Sequence, residues 1–243
     1  MRILAVSDEE YKGFWAGAGL RTDLCGVTEI TENGIKYTVD YINGQKTGFF
    51  LDQKYNRQAI RRIAEGRTVL DCFTHTGSFA LNAAAAGAKS VTAVDISADA
   101  IEMTRRNAEQ NGFTNVEFRQ ADVFDLLTEL YRAGGHPYDF IILDPPAFTK
   151  SSSTVRAAER GYKEINLKAM RLLPRGGYLA TCSCSHFMTE TLFRHMLHDA
   201  AADAGVSLRQ IEARRQAPDH PILWNVPETD YLKFYIFQVC HEH

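Results

Sequence analysis

The run RTVLDCFTHTGSFALNAAAAGAKSVTAVDI, residues 67–96, decides the fold. "RTVLDCF" reads as a short buried strand carrying Asp71 close to its end. "GSFALNAAAAGA" is an Ala-rich helix with Gly87 in the stop position. "SVTAVDI" is a second apolar strand, and it too ends on an acid, Asp95. Strand, helix and strand make a βαβ unit, whose strands lie parallel and whose crossover is right-handed.

The same alternation continues outward. "KYNRQAIRRIAEG" precedes the unit as an amphipathic helix stopped at Gly66. After it come a helix capped by Ser97 and ended by Asn111-Gly112, the strand "VEFRQ", the helix "DVFDLLTELYRAGG" and the strand "YDFIILDPP". A Ser-rich loop leads into a helix over 155–173, the strand "GGYLATCSC", the helix "TETLFRHMLHDAAADAG" and two late strands, "SLRQIEARR" and "YLKFYIFQVC". The predicted fold is α/β: a doubly wound, mostly parallel, seven-stranded Rossmann-like sheet. Upstream, residues 26–51 alternate apolar and polar and carry two Asn-Gly pairs, 33–34 and 43–44, each suited to a type I′ turn. They predict a small antiparallel β-meander of three strands. The expected divisions are an N-terminal linker (1–25), the meander (26–52) and the Rossmann-like domain (53–243).

The 243 residues are 45% hydrophobic, ample for a core, and carry a net charge of −3. A domain that grips nucleic acid by bulk charge is basic, so any such contact here is local. The start has no apolar leader-like run and no stretch of about 18 apolar residues follows, which predicts a cytoplasmic protein without membrane partners. Five cysteines fit no zinc spacing, and His195 and His198 share a helix face without a third ligand, so no metal is expected.

Ligands of such sheets sit beyond the carboxyl ends of the strands. There the chain offers Asp71 with the Gly77 turn, then Asp95 roughly 20 residues after the loop as a ribose ligand, then Asp122 as an acceptor for an adenine amino group. The plainer reading of Asp122 is a helix N-cap, and the two are compatible. A pyrophosphate would be repelled by Asp71, whereas a sulfonium cofactor with an ammonium group would be held, so S-adenosylmethionine is expected over NAD. The next strand ends in "DPPAF", Asp144 to Phe148, which sets a carboxylate and rigid carbonyls at the rim with Phe148 able to stack on a base. "LATCSCSH" ends the fifth strand and brings Cys184 beside Asp144.

Together "FFLDQKYNR", "LDCFTHTGSFALNAA", "DPPAF", "RGYKEINLKAMRLL", "GGYLATCSCS" and "PDHPILWNVPETDYLK" resemble the RlmI-type 23S ribosomal RNA methyltransferases, which make 5-methylcytosine. The similarity runs from about residue 27 to the C-terminus. That family's members usually carry an N-terminal PUA RNA-binding domain, for which this chain has no room. The resemblance implies S-adenosylmethionine held by Gln53, Asn56, Arg57, Asp71, Phe73, Thr76, Gly77, Asp95, Ile96, Asp122, Val123 and Asp144. It implies substrate contacts at Pro145, Pro146, Phe148, Lys163 and His220. His75 departs from it, standing where relatives often have Tyr, and the loop's Gly is also replaced there.

The partner implied is RNA, 23S rRNA foremost, with a homodimer left open. The catalytic pair implied is Cys184 and Asp144. Carbon 5 of cytosine is a poor nucleophile, and a thiolate added to carbon 6 turns the ring into an enamine that attacks the sulfonium methyl. Asp144 would stabilise the charge developed on the base. Cys182 is expected to face packing or the cofactor side, which needs a bend, since residues two apart on a regular strand share a face. Lys54, Arg57, Arg61 and Arg62, and Lys150, Arg156, Arg160 and Lys163, form two basic clusters suited to phosphate. The rivals are a guanine methyltransferase, in which the fifth strand lacks the cysteine, and a non-catalytic S-adenosylmethionine- or RNA-binding module.

Overall fold

The computed structural model describes residues 26–42, 48–149 and 151–241. The chain begins with a hairpin of β1 (Val27–Glu32) and β2 (Ile35–Asp40), turned at Asn33-Gly34 with both residues at positive φ. The expected meander differs here: Gly48–Phe50 is not a strand, and the Asn43-Gly44 turn lies outside the described residues. So do the linker, residues 1–25, with its Cys25, and Lys150.

A short 3-10 turn, Leu51–Gln53, leads into helix α1 (Lys54–Ala64). Strands β3 (Thr68–Cys72), β4 (Ser90–Asp95), β5 (Val116–Gln120), β6 (Phe140–Leu143), β7 (Tyr178–Ser183), β8 (Val206–Arg214) and β9 (Lys233–His241) form one sheet in the order β5-β4-β3-β6-β7-β9-β8. Helices α2 (Ser78–Ala85), α3 (Ala98–Gln110), α4 (Val123–Ala133), α5 (Val155–Leu172) and α6 (Glu190–Ala204) connect the strands. The five strands β3 to β7 are parallel, and β9 inserts antiparallel between β7 and β8. The doubly wound, seven-stranded α/β sheet of the sequence analysis is therefore the observed fold.

Each sheet face carries its own core, because strands covered on both sides must be apolar on both sides. Leu70, Cys72, Ile141, Leu143 and Leu179 face α4, α5 and α6. Val69, Phe140, Ile142, Ala180 and Cys182 face α1 and α2. The chain reverses between β3 and β6, so the loops after these two strands splay apart and open a crevice at their carboxyl ends.

The hairpin is docked on this second layer. The outer edge of β2 is paired by side-chain amides: the Thr38 N–H donates to Asn107 Oδ1 (2.8 Å), the Lys36 N–H to Asn111 Oδ1 (2.9 Å), and Asn111 Nδ2 to the Lys36 carbonyl (2.7 Å). Buried Tyr37 reaches α2, where Asn82 Nδ2 donates to its hydroxyl (3.1 Å).

Candidate active site

The loop between β3 and α2 is wound tightly. Phe73 (φ 66°) and His75 (φ 54°) both sit in the left-handed region, where a side chain costs about 1–2 kcal/mol. The His75 position thus keeps a glycine-like conformation without a glycine. Gly77 (φ 82°) precedes α2, and a Cβ there would lie 2.6 Å from Thr104 Cγ2. Thr104 in turn donates to the His75 carbonyl (3.0 Å), and Asn107 to that of Thr76 (3.0 Å). Strain held by surrounding packing is a mark of binding loops.

Asp71 is fully buried under this loop. Its Oδ2 accepts from Thr74 Oγ1 (2.6 Å) and the Ala80 N–H (2.9 Å), while its Oδ1 is sealed from solvent with no hydrogen-bond partner. Burial pushes its pKa up to about 7, against the hydrogen bond from Thr74, with Asp144 adding to the rise. The Thr76 hydroxyl is also buried without a partner. A sealed carboxylate oxygen and a sealed hydroxyl flanking one turn suit a ligand that brings its own cation and no phosphate. These residues fit S-adenosylmethionine.

Asp95 ends β4 and takes the His75 N–H (3.0 Å) and the Ser97 N–H (3.0 Å), one on each oxygen, which joins it to the loop; Ile96 beside it is exposed. Asp122 caps α4 through Oδ1, accepting from Phe124 N–H (2.8 Å) and Asp125 N–H (3.3 Å), with Val123 buried behind it. These acids stand at the ends of adjacent strands β3, β4 and β5.

At the end of β6 the structure corrects one expectation. The thiol that meets Asp144 is Cys182, which donates to Asp144 Oδ1 (2.8 Å) and also lies 3.4 Å from the Leu143 carbonyl. Gln53 Nε2 donates to the same Oδ1 (3.1 Å), and Asn56 Nδ2 to Gln53 Oε1 (2.6 Å). The cause is the parallel register: Leu143 pairs with Thr181, so the next residues along, Asp144 and Cys182, meet. Desolvation pushes Asp144 up to about 6, against the hydrogen bond from Cys182. Burial, then Asp144, push the Cys182 thiol well above its ordinary value, so it is a neutral donor.

Strand β7 ends at Ser183, one residue before Cys184. Cys184 is half-buried, off the sheet, in the electrostatic range of Tyr162, Tyr231 and Lys233. The two thiols do part ways, Cys182 into the α1 and α2 layer and Cys184 toward the start of β9.

Other expected site residues have different tasks. Arg57, 1% exposed, forks onto Glu32 of the hairpin (2.6 and 2.8 Å), donates to the Phe50 carbonyl (2.8 Å) and stacks on Phe49. It ties hairpin to helix, and its charge also reaches His75 in the loop after β3 and Asp144 at the end of β6. Phe148 is half-buried beside Tyr162 (centroids 4.6 Å apart), Phe124 (5.8 Å) and Phe73 (6.4 Å), so its ring also braces the loops. Lys163 pairs with Asp203 (2.8 Å) in the last turn of α6. Pro145 is buried and Pro146 exposed. His220 lies in the loop after β8, bonded to Asp219 (3.0 Å). That loop is fastened to the site by the Ala217 N–H on the Asp52 carbonyl (2.8 Å) and Tyr231 Oη on Asp52 Oδ2 (2.7 Å). Of the basic clusters, Arg61 donates to the Asn33 carbonyl (3.1 Å), while Arg156 and Arg160 are exposed on the first turns of α5. Among the described residues no group of three or more His, Cys, Asp or Glu is placed to hold a metal, and no described helix is long and apolar enough to cross a membrane.

Sequence reasoning passed over Lys233, Asp52 and Tyr231. A charge inside "YLKFYIFQVC" was the available signal, since Lys is almost never buried without a reason.

Comparison with known proteins agrees with this geometry. A family model described as S-adenosylmethionine-dependent methyltransferase matches residues 5–237. Ribosomal RNA large subunit methyltransferase I of Aeromonas salmonicida is 48% identical over 206 residues, 84% of this chain and 52% of that protein. The protein of the same name from Erwinia tasmaniensis is 47% identical over 212 residues, 86% of this chain and 53% of that protein. This chain thus spans about half the length of the curated relatives it matches. Among solved structures, SMU.776, described as a methyltransferase complexed with SAH, superposes with a TM-score of 0.78 at 26% identity, over 88% of this chain and 56% of that one. Trm5b from Pyrococcus abyssi shares the fold, with a TM-score of 0.65 at 19% identity, over 91% of this chain and 58% of that one.

Proposed function

The chain belongs to the S-adenosylmethionine-dependent methyltransferase family, and from that premise we propose that it methylates carbon 5 of a cytosine in large-subunit ribosomal RNA, with Cys184 as nucleophile. The observation that carries the reading is the end of β7, where one thiol is sealed against Asp144 and a second, half-buried, stands one residue beyond the strand. Only a thiol that a base can reach can add to it.

When bound, S-adenosylmethionine supplies an electrophilic methyl group. The chain's own residues do the rest. Asp71 Oδ1 receives the ligand's ammonium and Thr76 Oγ1 a polar group beside it. Asp95 takes the ribose hydroxyls and Asp122 Oδ2 the adenine amino group. Ile96, exposed beside Asp95, would flank the adenine, with Val123 buried behind Asp122. Cys184 would add to carbon 6, forming the S–C bond as the ring's 5,6 double bond yields its electron pair to carbon 5; carbon 5, aligned with the methyl group, would take it while the methyl's bond to the sulfonium breaks and that sulfur leaves neutral. A base from solvent would take the carbon 5 proton; the C–H pair restores the 5,6 double bond and the S–C bond breaks with its pair returning to the Cys184 sulfur. Asp144, with Oδ1 taken by Gln53 and Cys182, keeps Oδ2 for the base's amino group. RNA is held at the rim by Pro146, His220, Arg156 and Arg160.

Cys182 as nucleophile is the second reading, favoured by its 2.8 Å bond to Asp144 and opposed by its burial. Ribosomal RNA carrying 5-fluorocytidine tests both. With S-adenosylmethionine present, a covalent adduct is expected in the parent protein and in Cys182→Ala, and none in Cys184→Ala. An adduct lost in Cys182→Ala and kept in Cys184→Ala reverses the assignment, and unmodified cytosine by nucleoside mass spectrometry rejects the target base.

A further inference from the structure

Lys233 opens β9 opposite Ser183 and is only 3% exposed. Its Nζ donates to the carbonyl of Ser185 (2.6 Å), the residue after Cys184, and to that of Tyr231 (2.8 Å). Two of the three ammonium N–H groups are used, and both acceptors are neutral. Among the described residues no carboxylate lies within salt-bridge distance of Lys233; its direct partners are neutral dipoles, and Asp230 acts on it only from farther off. An isolated charge in such surroundings is costly unless an anion forms beside it. Burial does push Lys233 down, to about 8, and the Cys184 sulfur is foremost among the groups that hold it up. What a thiolate does for the ammonium, the ammonium does for the thiolate.

Other titratable groups also act on the pair. Tyr162 of α5 and Tyr231 face Cys184 and are both pushed up by burial, so they stay neutral. Asp52 stands behind Tyr231 and accepts its hydroxyl. Asp230 and Arg215 act on Lys233 with opposite signs and are bonded to each other. Cys182 is the neutral donor to Asp144.

We propose that Lys233 is a positioning residue for Cys184: its ammonium, pinned by the Ser185 and Tyr231 carbonyls, holds the Cys184 sulfur as the thiolate. The sulfur's electron pair then forms the bond to carbon 6 and returns to a stabilised anion when that bond breaks. The inference deepens the nucleophile reading and rests on it for its place in catalysis. The electrostatic pairing itself is tested without RNA or cofactor.

The experiment follows alkylation of the Cys184 peptide by iodoacetamide against pH, read by mass spectrometry, with the Cys240 peptide of the same protein as reference. In the parent the Cys184 midpoint is expected below that of Cys240. In Lys233→Met it should rise by about one unit, an alkylation rate roughly tenfold lower at neutral pH, while Lys233→Arg keeps most of the parent profile. A purely structural lysine would change the melting temperature and leave the midpoint in place. Superimposable profiles for the parent and Lys233→Met overturn the proposal. So does a parent midpoint at or above that of Cys240, a measurement that stands even if Lys233→Met does not fold. Methylation by Cys184→Ala would instead remove the nucleophile reading and leave the alkylation result intact.

Discussion

At Asp71 one oxygen is held by Thr74 and Ala80 and the other meets no protein donor. Desolvation raises its pKa from 3.8 to about 7. The folded state therefore keeps a proton that the unfolded chain gives up near pH 4. Between these two values the native state binds more protons, so stability falls as pH rises through the window. Most paired carboxylates do the reverse. The expected outcome is a ligand-free protein whose melting temperature declines from pH 5 to pH 8, and an Asp71→Asn variant in which that part of the decline is gone. The variant should melt above the parent at pH 8 and lose S-adenosylmethionine affinity by tenfold or more, because a charge-assisted contact becomes a neutral one. Melting curves at the two pH values and a calorimetric titration check both halves. An Asp71→Asn protein less stable than the parent at pH 8 would mean that the carboxylate is already ionised and compensated.

The loop from Phe73 to Gly77 behaves as one unit because Thr104 and Asn107 of α3 hold its carbonyls. In Gly77→Ala a new Cβ at φ 82° would sit 2.6 Å from Thr104 Cγ2, adding a steric penalty of about 1–3 kcal/mol to a conformational one of about 1–2 kcal/mol. Thr104→Ser removes that methyl and keeps the hydroxyl bonded to His75. The double variant should thus recover the steric part alone, and urea denaturation of the four proteins measures the coupling. Strict additivity would show that the two groups do not touch. Such contacts also mark where sequence reading stops. The apolar runs of β3, β6 and β7 and the acid near the end of each of β3, β4 and β6 are local signals, and they yielded both the sheet and the crevice. The Gln53–Asp144–Cys182 chain joins residues 91 and 38 positions apart and has no local signature. A two-residue spacing of cysteines could not show that parallel register hands Asp144 to Cys182. The third meander strand differs too: in its described part, 48–50, the chain turns instead toward the 3-10 entry to α1.

Among the described residues a buried ion pair, Arg57 with Glu32, both about 95% or more buried, helps join the hairpin to the Rossmann-like layers. Arg57 reads from sequence as a cofactor or phosphate contact because a basic helix face looks the same whether its partner is an acid 25 residues upstream or a ligand. The two roles make different predictions. If the pair holds the hairpin, Arg57→Met strands a buried carboxylate on Glu32 and destabilises the fold by about 3–5 kcal/mol. Adding Glu32→Met removes that stranded charge and should recover most of the loss, since a well-packed apolar pair often replaces a buried ion pair at little net cost. The stacking of Arg57 on Phe49 survives in part, because a Met side chain also packs against an aromatic ring. In the double variant S-adenosylmethionine should bind as it does to the parent. Chemical denaturation of the single and double variants, followed by a cofactor titration of the double, measures each step. A double variant that folds as stably as the parent yet binds the cofactor tenfold more weakly would return Arg57 to the binding site, and with it the first basic cluster.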